Sequence, residues 1–144
     1  MAGENILDVT SYPDQFQTLS IVVTGVGAKL ADGDDFVLHY AERNLVVDSV
    51  FFICPEADAN DTFQLKRLDA AADGTYSTDP DSAGAALSSA VVVNAAYTPV
   101  DGVVSATENY VPAGSMIALN VEPGNAGTEH DTVTVVIRFR TRIK

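Results

Sequence analysis

The sequence predicts an all-β protein: an antiparallel β-sandwich, jelly-roll-like, with about eight strands. Valine and threonine make up about a fifth of the 144 residues, and branching at Cβ favours strands because it restricts χ1. Nine of the 14 aspartates lie directly beside Gly, Pro, Asn or Ser, and such clusters form turns because short carboxylates bond neighbouring backbone amides. The apolar segments follow one another without the long amphipathic helices that a parallel α/β sheet needs.

The first half of the chain contains four predicted strands, and each ends in turn-forming residues. They are Phe16–Thr24, Phe36–Glu42, Val46–Cys54 and Thr62–Leu68. Pro55 closes the third strand because proline cannot donate a hydrogen bond to a β-ladder. Strict alternation in the second strand places His39 on the side of Val37 and Ala41, which we expect to face solvent or an interface.

The second half begins with a long polar loop, Asp69–Ser82. Residues Ala83–Ala90 can form either a short helix or a strand, and the sequence leaves both open before the apolar run Val91–Val93. The last three predicted strands are Gly102–Glu108, Ser115–Glu122 and Thr132–Ile143.

The predicted core consists of apolar residues that alternation places on the inner faces of these strands. It comprises Ile21, Val23, Phe36, Leu38, Val50, Phe52, Phe63, Leu65, Ile117, Leu119, Val135, Ile137 and Phe139. A chain of this length buries roughly 68–70% of its unfolded surface, which is enough for a core without disulfides or metals.

The length of the chain predicts one domain, because domains cluster near ~100–150 residues. We assign residues 16–144 to a single β-sandwich domain. Residues 1–15, with the apolar group Ile6–Val9, are either an arm that pairs with a neighbouring subunit or the first strand of the sheet. The start has no basic region, and no stretch approaches the ~18 apolar residues of a membrane span. We therefore expect a chain without signal peptide or membrane span, made in a reducing cytoplasm.

The charge and the cysteine content exclude several classes of protein. The formal net charge is −12, with 8 basic and 20 acidic residues. General nucleic-acid binders neutralise phosphates with Lys and Arg, so that class is excluded. The single cysteine, Cys54, excludes a disulfide framework and a multi-thiolate metal site. It ends an apolar strand without a basic neighbour, so we expect a buried and unreactive thiol.

Two motifs resemble ligand sites but are interpreted as turns. In Ile21–Leu30 a strand runs into Gly25-Val26-Gly27, as in dinucleotide-binding folds. Leu30 stands where a third glycine is needed, and the next strand opens at Phe36, which leaves no room for a helix. Three acidic groups could offer oxygen ligands to calcium, but none matches the twelve-residue EF-hand loop. They are Asp32, Asp34 and Asp35; Asp58, Asn60 and Asp61; and Asp73, Asp79 and Asp81.

The sequence offers few groups for catalysis. Besides His39, the chain has one histidine, His130, in the turn Glu129–Asp131. No Gly-x-Ser-x-Gly elbow is present. There is no tryptophan to stack on sugar rings, and nothing marks a glycosidase pair among the carboxylates. We therefore expect no enzymatic activity, no catalytic residue, no cofactor and no metal.

The final strand carries the candidate interface residues. Alternation places its apolar residues on one face: Val133, Val135, Ile137, Phe139 and Ile143. The opposite face carries half of the basic residues of the chain: Arg138, Arg140, Arg142 and Lys144. This pattern is consistent with an edge strand that charge protects against aggregation. It is equally consistent with a docking stripe for an acidic partner, because arginine pairs bidentately with carboxylates.

The chain is similar to the small β-sandwich virion proteins of tailed bacteriophages, the head decoration (cement) and related accessory proteins. The likeness spans Phe16 to Lys144 and lies in an acidic, cysteine-poor β chain of about this length that ends in a basic strand. The segments that carry it are VVDSVFFICPEA, TFQLKRLD, GAALSSAVVV and VPAGSMIALNVEPG.

The resemblance implies a symmetric homo-oligomer, commonly a trimer, that binds the major capsid protein on the outer capsid surface of the virion. Either Ile6–Tyr12 or the loop Asp69–Ser82 is expected to reach a neighbouring subunit. The acidity fits an outer position, because DNA inside the capsid would repel a chain of net charge −12. The alternatives are a tail, neck or fibre-attachment component, and a carbohydrate-binding β-sandwich with exposed aromatic residues around one concave face.

Overall fold

The computed structural model describes residues 14–24, 35–56, 61–77, 84–122 and 131–142. These residues form ten β-strands, and no helix occurs within those ranges. The strands are β1 (Asp14–Thr24), β2 (Asp35–Tyr40), β3 (Leu45–Ile53), β4 (Thr62–Leu68), β5 (Ala85–Ala86), β6 (Val91–Val92), β7 (Val100–Gly102), β8 (Tyr110–Val111), β9 (Met116–Glu122) and β10 (Thr132–Arg142). The predicted all-β class is therefore confirmed.

The strands form two antiparallel sheets. In the first, called the β10 sheet, the order is β1-β10-β3, and β7 and β8 both pair with the far edge of β3. In the second, called the β9 sheet, the order is β2-β9-β4, and β5 and β6 both pair with the far edge of β4. The two short strands on each far edge occupy one strand position, so each sheet has four positions.

The pairing is nested along the sequence, which makes the fold a jelly roll. β1 pairs with β10, β2 with β9, β3 with β7 and β8, and β4 with β5 and β6. The chain is thus one long antiparallel ribbon that folds over into two sheets, with eight strand positions in all. This confirms the predicted jelly-roll-like sandwich of about eight strands.

The core lies between the two sheets and matches the predicted set. Ten of its predicted members are buried: Val23, Val50, Phe52, Phe63, Leu65, Ile117, Leu119, Val135, Ile137 and Phe139. The other three, Ile21, Phe36 and Leu38, are partly buried and pack against this core. Phe52 of β3 and Phe63 of β4 join the sheets, with their ring centroids 5.9 Å apart.

Residues 84–90 are not helical, so the strand alternative for Ala83–Ala90 is the correct one for the part that the structure describes. Ala85 and Ala86 form β5 against β4, and Ser88 forms a β-bridge with Val104. The Ser88 hydroxyl also accepts a hydrogen bond from Leu65 N at 3.1 Å. These contacts with distant strands override the helix propensity of the alanines.

The predicted strand Gly102–Glu108 is wrong in its position. The strand β7 ends at Gly102, where the prediction had it begin. Beyond it, the Ser105 hydroxyl accepts hydrogen bonds from the backbone amides of Thr107 and Glu108, at 3.3 and 3.0 Å. A serine that binds its own following backbone favours a turn over a ladder.

The predicted orientation of His39 is wrong because β2 contains a β-bulge. The register between β2 and β9 shifts between Val37 and His39, so that His39 pairs with the buried Ile117. One extra residue in a strand reverses the alternation beyond it. His39 therefore lies on the opposite side from Val37, and its ring centroid is 5.4 Å from that of the core residue Phe139.

We expect the substitution Gly102→Ala to destabilise the fold by about 1–3 kcal/mol, because it overpacks a filled core. A Cβ atom at this buried position would lie 2.9 Å from both Phe52 Cε2 and Val50 Cγ1. Urea unfolding of the two proteins measures the difference. The exposed neighbour offers a matched control, Asp101→Ala, which should change stability by less than about 0.5 kcal/mol. Equal stability of Gly102→Ala and the parent would show that β3 and β7 do not require this close approach.

Candidate functional site

The candidate site is on the outer surface of the β10 sheet. Val133, Val135, Ile137 and Phe139 of β10 are buried in the core, so the residues between them project outward. Arg138, Arg140 and Arg142 therefore share one face, as the alternation predicts. Of the four predicted interface residues, Lys144 lies outside the described residues, as does Ile143.

An exposed aromatic side chain lies among these arginines. Phe16 of β1 pairs with Arg140 in the ladder and is 57% exposed. The guanidinium carbon of Arg138 lies 4.3 Å from the centroid of its ring, and that of Arg140 lies 5.9 Å away. Cation–π contact of this kind holds guanidinium groups over a ring face. We call Phe16, Arg138, Arg140 and Arg142 the basic face.

The location of β10 decides between the two interpretations of its arginines. β10 is paired with β1 on one side and β3 on the other, so it is a central strand. The interpretation of the arginines as protection of an edge strand is therefore wrong. The docking interpretation stays a prediction.

One arginine of the basic face is neutralised within the fold. Arg140 Nε lies 3.1 Å from Asp48 Oδ1. Asp48 is the extra residue of a second β-bulge, where the register between β3 and β10 shifts between Arg138 and Phe139. Arg138 and Arg142 form no ion pair with any residue whose side chain the structure describes, a set that leaves out Asp14.

Two further basic residues, Arg67 and Lys66, lie in β4, and Arg67 has a structural role. Arg67 is 3.0 Å from Asp69 and 3.6 Å from Glu108, and its Nη1 donates to Tyr110 O at 2.7 Å. Arg67 thus ties β4 to the segment before β8. Lys66 is buried in the same strand.

Arg43 was missed by the sequence reasoning. It lies between β2 and β3 and lines a cleft of about 350 Å³ together with Asn44, Ala113, Thr141 and Arg142. No local pattern marks Arg43, because it is the fold that brings this turn beside the end of β10.

The turn motifs fall partly outside the described residues. This is so for Gly25-Val26-Gly27, Lys29 and Leu30, for His130, and for the acidic-group members Asp32, Asp34, Asp58, Asn60, Asp79 and Asp81. Within the described ranges, His, Cys, Asp and Glu side chains form no group of three that could hold a metal ion. In the same ranges no helix is long and apolar enough to span a membrane.

Asp73 has a local structural role. Its carboxylate accepts hydrogen bonds from the Thr75 hydroxyl at 2.6 Å and from Thr75 N at 3.0 Å. These bonds stabilise the charged form, so they hold the pKa of Asp73 below its ordinary value. The residue caps the turn that contains Gly74, whose φ of 83° favours glycine.

Cys54 is fully buried at the end of β3. Burial, with smaller contributions from the negative charges of Glu56 and Asp61, raises the pKa of its thiol to about 12. The thiolate, which is the nucleophile, is therefore suppressed at neutral pH.

We expect the thiol of Cys54 not to react with Ellman's reagent at pH 8 in the folded protein. The residue is both inaccessible and protonated, so reaction must wait for unfolding. Absorbance measures the reaction, and the same protein in concentrated urea serves as the control that should react fully. Rapid reaction of the folded protein would contradict the burial of this residue.

The raised thiol pKa also predicts a loss of stability in alkali. Above about pH 8.5 the unfolded chain ionises Cys54 while the folded chain keeps the proton, so the free energy of unfolding falls as pH rises. Urea unfolding between pH 8 and 11 measures the slope. The Cys54→Ala variant should lose stability less steeply over this range, and parallel curves for the two proteins would refute the assignment.

No protein-family model matches the chain, and no curated protein matches it. Among solved structures, the chain is similar to one chain in the structure of infectious bursal disease virus strain Gx, with a TM-score of 0.47 and 8% identity. That match covers 90% of this chain and 32% of the viral chain, so this chain spans about a third of the length of that protein. It is also similar to a chain of the cyanophage Pam1 capsid asymmetric unit, with a TM-score of 0.43 and 17% identity over 89% of this chain and 84% of that one.

Proposed function

We propose that this chain is a bacteriophage virion structural protein, a non-enzymatic capsid decoration (cement) protein that binds the outer surface of the head shell. The observation that carries the proposal is the basic face on the central strand β10. In a chain of net charge −12, Arg138 and Arg142 have no carboxylate partner among the side chains that the structure describes. Guanidinium groups without a carboxylate partner, one of them (Arg138) over the exposed ring of Phe16, favour contact with an acidic protein surface.

The surroundings of the basic face have the composition of a protein interface. On the same outer surface Val22 of β1 is 65% exposed, and Phe51 of β3 is 36% exposed. Their ladder partners are Thr134 and Val136 of β10, whose side chains point outward with the arginines. Aromatic residues and arginine are enriched in interfaces, whereas lysine is depleted. We assign most of the affinity to the apolar contacts and the register of docking to the arginines.

The affinity of such a surface depends on repetition. One exposed ion pair contributes only ~0.2–1 kcal/mol, which is too little to hold a protein on a shell. Several pairs in each subunit, multiplied by the symmetry of an oligomer, give strong avidity. We therefore propose a homo-oligomer, with a trimer as the first candidate and the major capsid protein as the partner.

Hydrogen bonds within the molecule hold the first part of the loop Asp69–Ser82, one of the two segments expected to reach a neighbouring subunit. The Asp69 carboxylate accepts a hydrogen bond from the Ser115 hydroxyl at 2.6 Å, and the Tyr76 hydroxyl donates to Gly114 O. Residues 69–77 are thus bound to their own molecule. This favours the segment Ile6–Tyr12, which lies outside the described residues, as the segment that contacts a neighbour.

The distribution of exposed aromatic residues favours the virion proposal over a carbohydrate-binding module. A sugar-binding surface needs aromatic rings gathered on one concave face. Within the described ranges the exposed tyrosines instead lie on three separate elements: Tyr40 on β2, Tyr97 in the turn after β6, and Tyr110 on β8. The exposed phenylalanines, Phe16 and Phe51, share a surface with the arginines.

We expect the triple variant Arg138→Ser, Arg140→Ser and Arg142→Ser to fold normally but to occupy purified phage particles less fully. Because Arg140 is already paired with Asp48, the variant loses the partner contacts of Arg138 and Arg142. Two lost pairs correspond to a drop in affinity of between roughly twofold and thirtyfold. Quantitative mass spectrometry of the particles measures copies per head over a range of salt concentrations. Raised salt should reduce the occupancy of the parent protein in the same direction.

A control variant should keep the occupancy of the parent. Asn94→Asp, Ala96→Glu and Thr98→Glu lie at exposed positions between β6 and β7, and together they change the net charge by as much as the triple arginine variant. Equal occupancy of the parent and the arginine variant at every salt concentration would refute docking through the basic face. Absence of the parent chain from the particles would refute the virion role itself.

A further inference from the structure

The cleft at one end of the basic face is lined by two arginine side chains, those of Arg43 and Arg142. Arg43 comes from the turn between β2 and β3, and Arg142 is the last residue of β10. Both side chains are exposed. Arg67 and Arg140 are tied to carboxylates, and Arg138 lies over Phe16. By contrast, the guanidinium groups of Arg43 and Arg142 have neither an acidic nor an aromatic partner among the residues whose side chains the structure describes, which leaves out Asp14, the ladder partner of Arg142.

The floor of this cleft is held by hydrogen bonds between three segments. Arg142 N donates to Asn44 O at 2.8 Å, which joins the end of β10 to the turn before β3. Ala113 N donates to Asn44 Oδ1 at 2.9 Å, which joins that turn to the one between β8 and β9. Two further bonds, Gly114 N to Ala41 O at 2.7 Å and Ala41 N to Ser115 O at 2.9 Å, reinforce the second connection. The backbone that carries both arginines is therefore fixed before any ligand binds.

Asn44 contributes further donors to the cleft. Because its Oδ1 is engaged by Ala113 N, the orientation of the side-chain amide is set, and its NH₂ group keeps two N–H donors. The Asn44 amide and the two guanidinium groups all offer hydrogen-bond donors to the cleft. None of the lining residues carries a carboxylate. Its volume of about 350 Å³ has room for a short acidic side chain with part of its backbone.

We propose that the cleft lined by Arg43, Asn44 and Arg142 is a carboxylate-binding site that takes an Asp or Glu side chain of a partner protein. Guanidinium groups pair bidentately with a carboxylate, and the Asn44 amide supplies a third donor. Because the backbone beneath them is held by hydrogen bonds, binding has to order only the two arginine side chains, and the site gives position as well as affinity.

The charge of the whole chain favours a single carboxylate over a polyanion. A nucleic acid that approached the cleft would also meet the field of a protein of net charge −12. A single Asp or Glu side chain of a partner brings only one negative charge close to this acidic chain, so it meets less repulsion than a polyanion does. This inference deepens the proposed docking and rests on it only for the source of the carboxylate.

The test is a titration of the full ¹⁵N-labelled chain with the single-carboxylate peptide acetyl-Gly-Glu-Gly-amide at low ionic strength, followed by NMR. We expect saturable shifts of the Asn44 side-chain amide and of the backbone amides of Ala113 and Arg142. The variants Arg43→Gln and Arg142→Gln should each weaken binding about tenfold, as for a hydrogen bond to a charged group. Asn94→Asp, which makes the same change in net charge at an exposed turn, should bind as the parent does.

Three results would overturn the site. These are parent-like binding by both arginine variants, equal weakening by Asn94→Asp, and saturation of the same resonances at lower concentrations of inorganic phosphate or of a DNA oligonucleotide. The titration is independent of the particle experiment. Failure of peptide binding with normal occupancy of particles would remove this site and leave the virion proposal standing, whereas the reverse result would remove the virion role alone.

Discussion

The structure depends on one strand, β10, which is central in its sheet. It contributes side chains to the core on one face and the three arginines of the basic face on the other. Its inward residues, from Val133 to Phe139, are buried, while its outward residues include three arginines. A slip of one residue in its pairing would turn every side chain to the other face. Because that would bury unpaired guanidinium groups at a cost of several kcal/mol each, the position of the charges also fixes the register of the sheet.

The sequence predicts features that depend on one strand alone, such as the face on which a side chain lies. It does not predict features that depend on how two strands pair. Alternation located the core residues and the row of arginines, because a side chain's face follows from its own position in a strand. The bulges near Leu38 and Asp48 were not predictable, since they arise where β2 and β3 fit against β9 and β10. For the same reason the short strand β8 was missed, β7 was displaced, and β5 was left open between helix and strand. A strand of two or three residues is too short to show an alternating hydrophobic pattern. These strands form because they pair with β3 and β4.

The same distinction applies to the charged groups. Arg67 and Arg43 are alike in sequence, each a single arginine close to a strand end. The fold gives Arg67 two carboxylates and a backbone carbonyl, and it gives Arg43 a cleft shared with Arg142. Function at this surface therefore depends on which cations the fold leaves without an internal partner, and that is decided only when distant segments come together.

The nested pairing also constrains how the chain is assembled during synthesis. Strands near the middle of the sequence, β4 and β5, can pair soon after they leave the ribosome, because few residues separate them. The partners of β3, β2 and β1 emerge later, in that order, so that co-translational folding proceeds outward from the middle. β1 and its apolar residues wait without a partner until β10 has been made. We therefore expect the nascent chain to depend on chaperones most strongly just before its last described strand emerges.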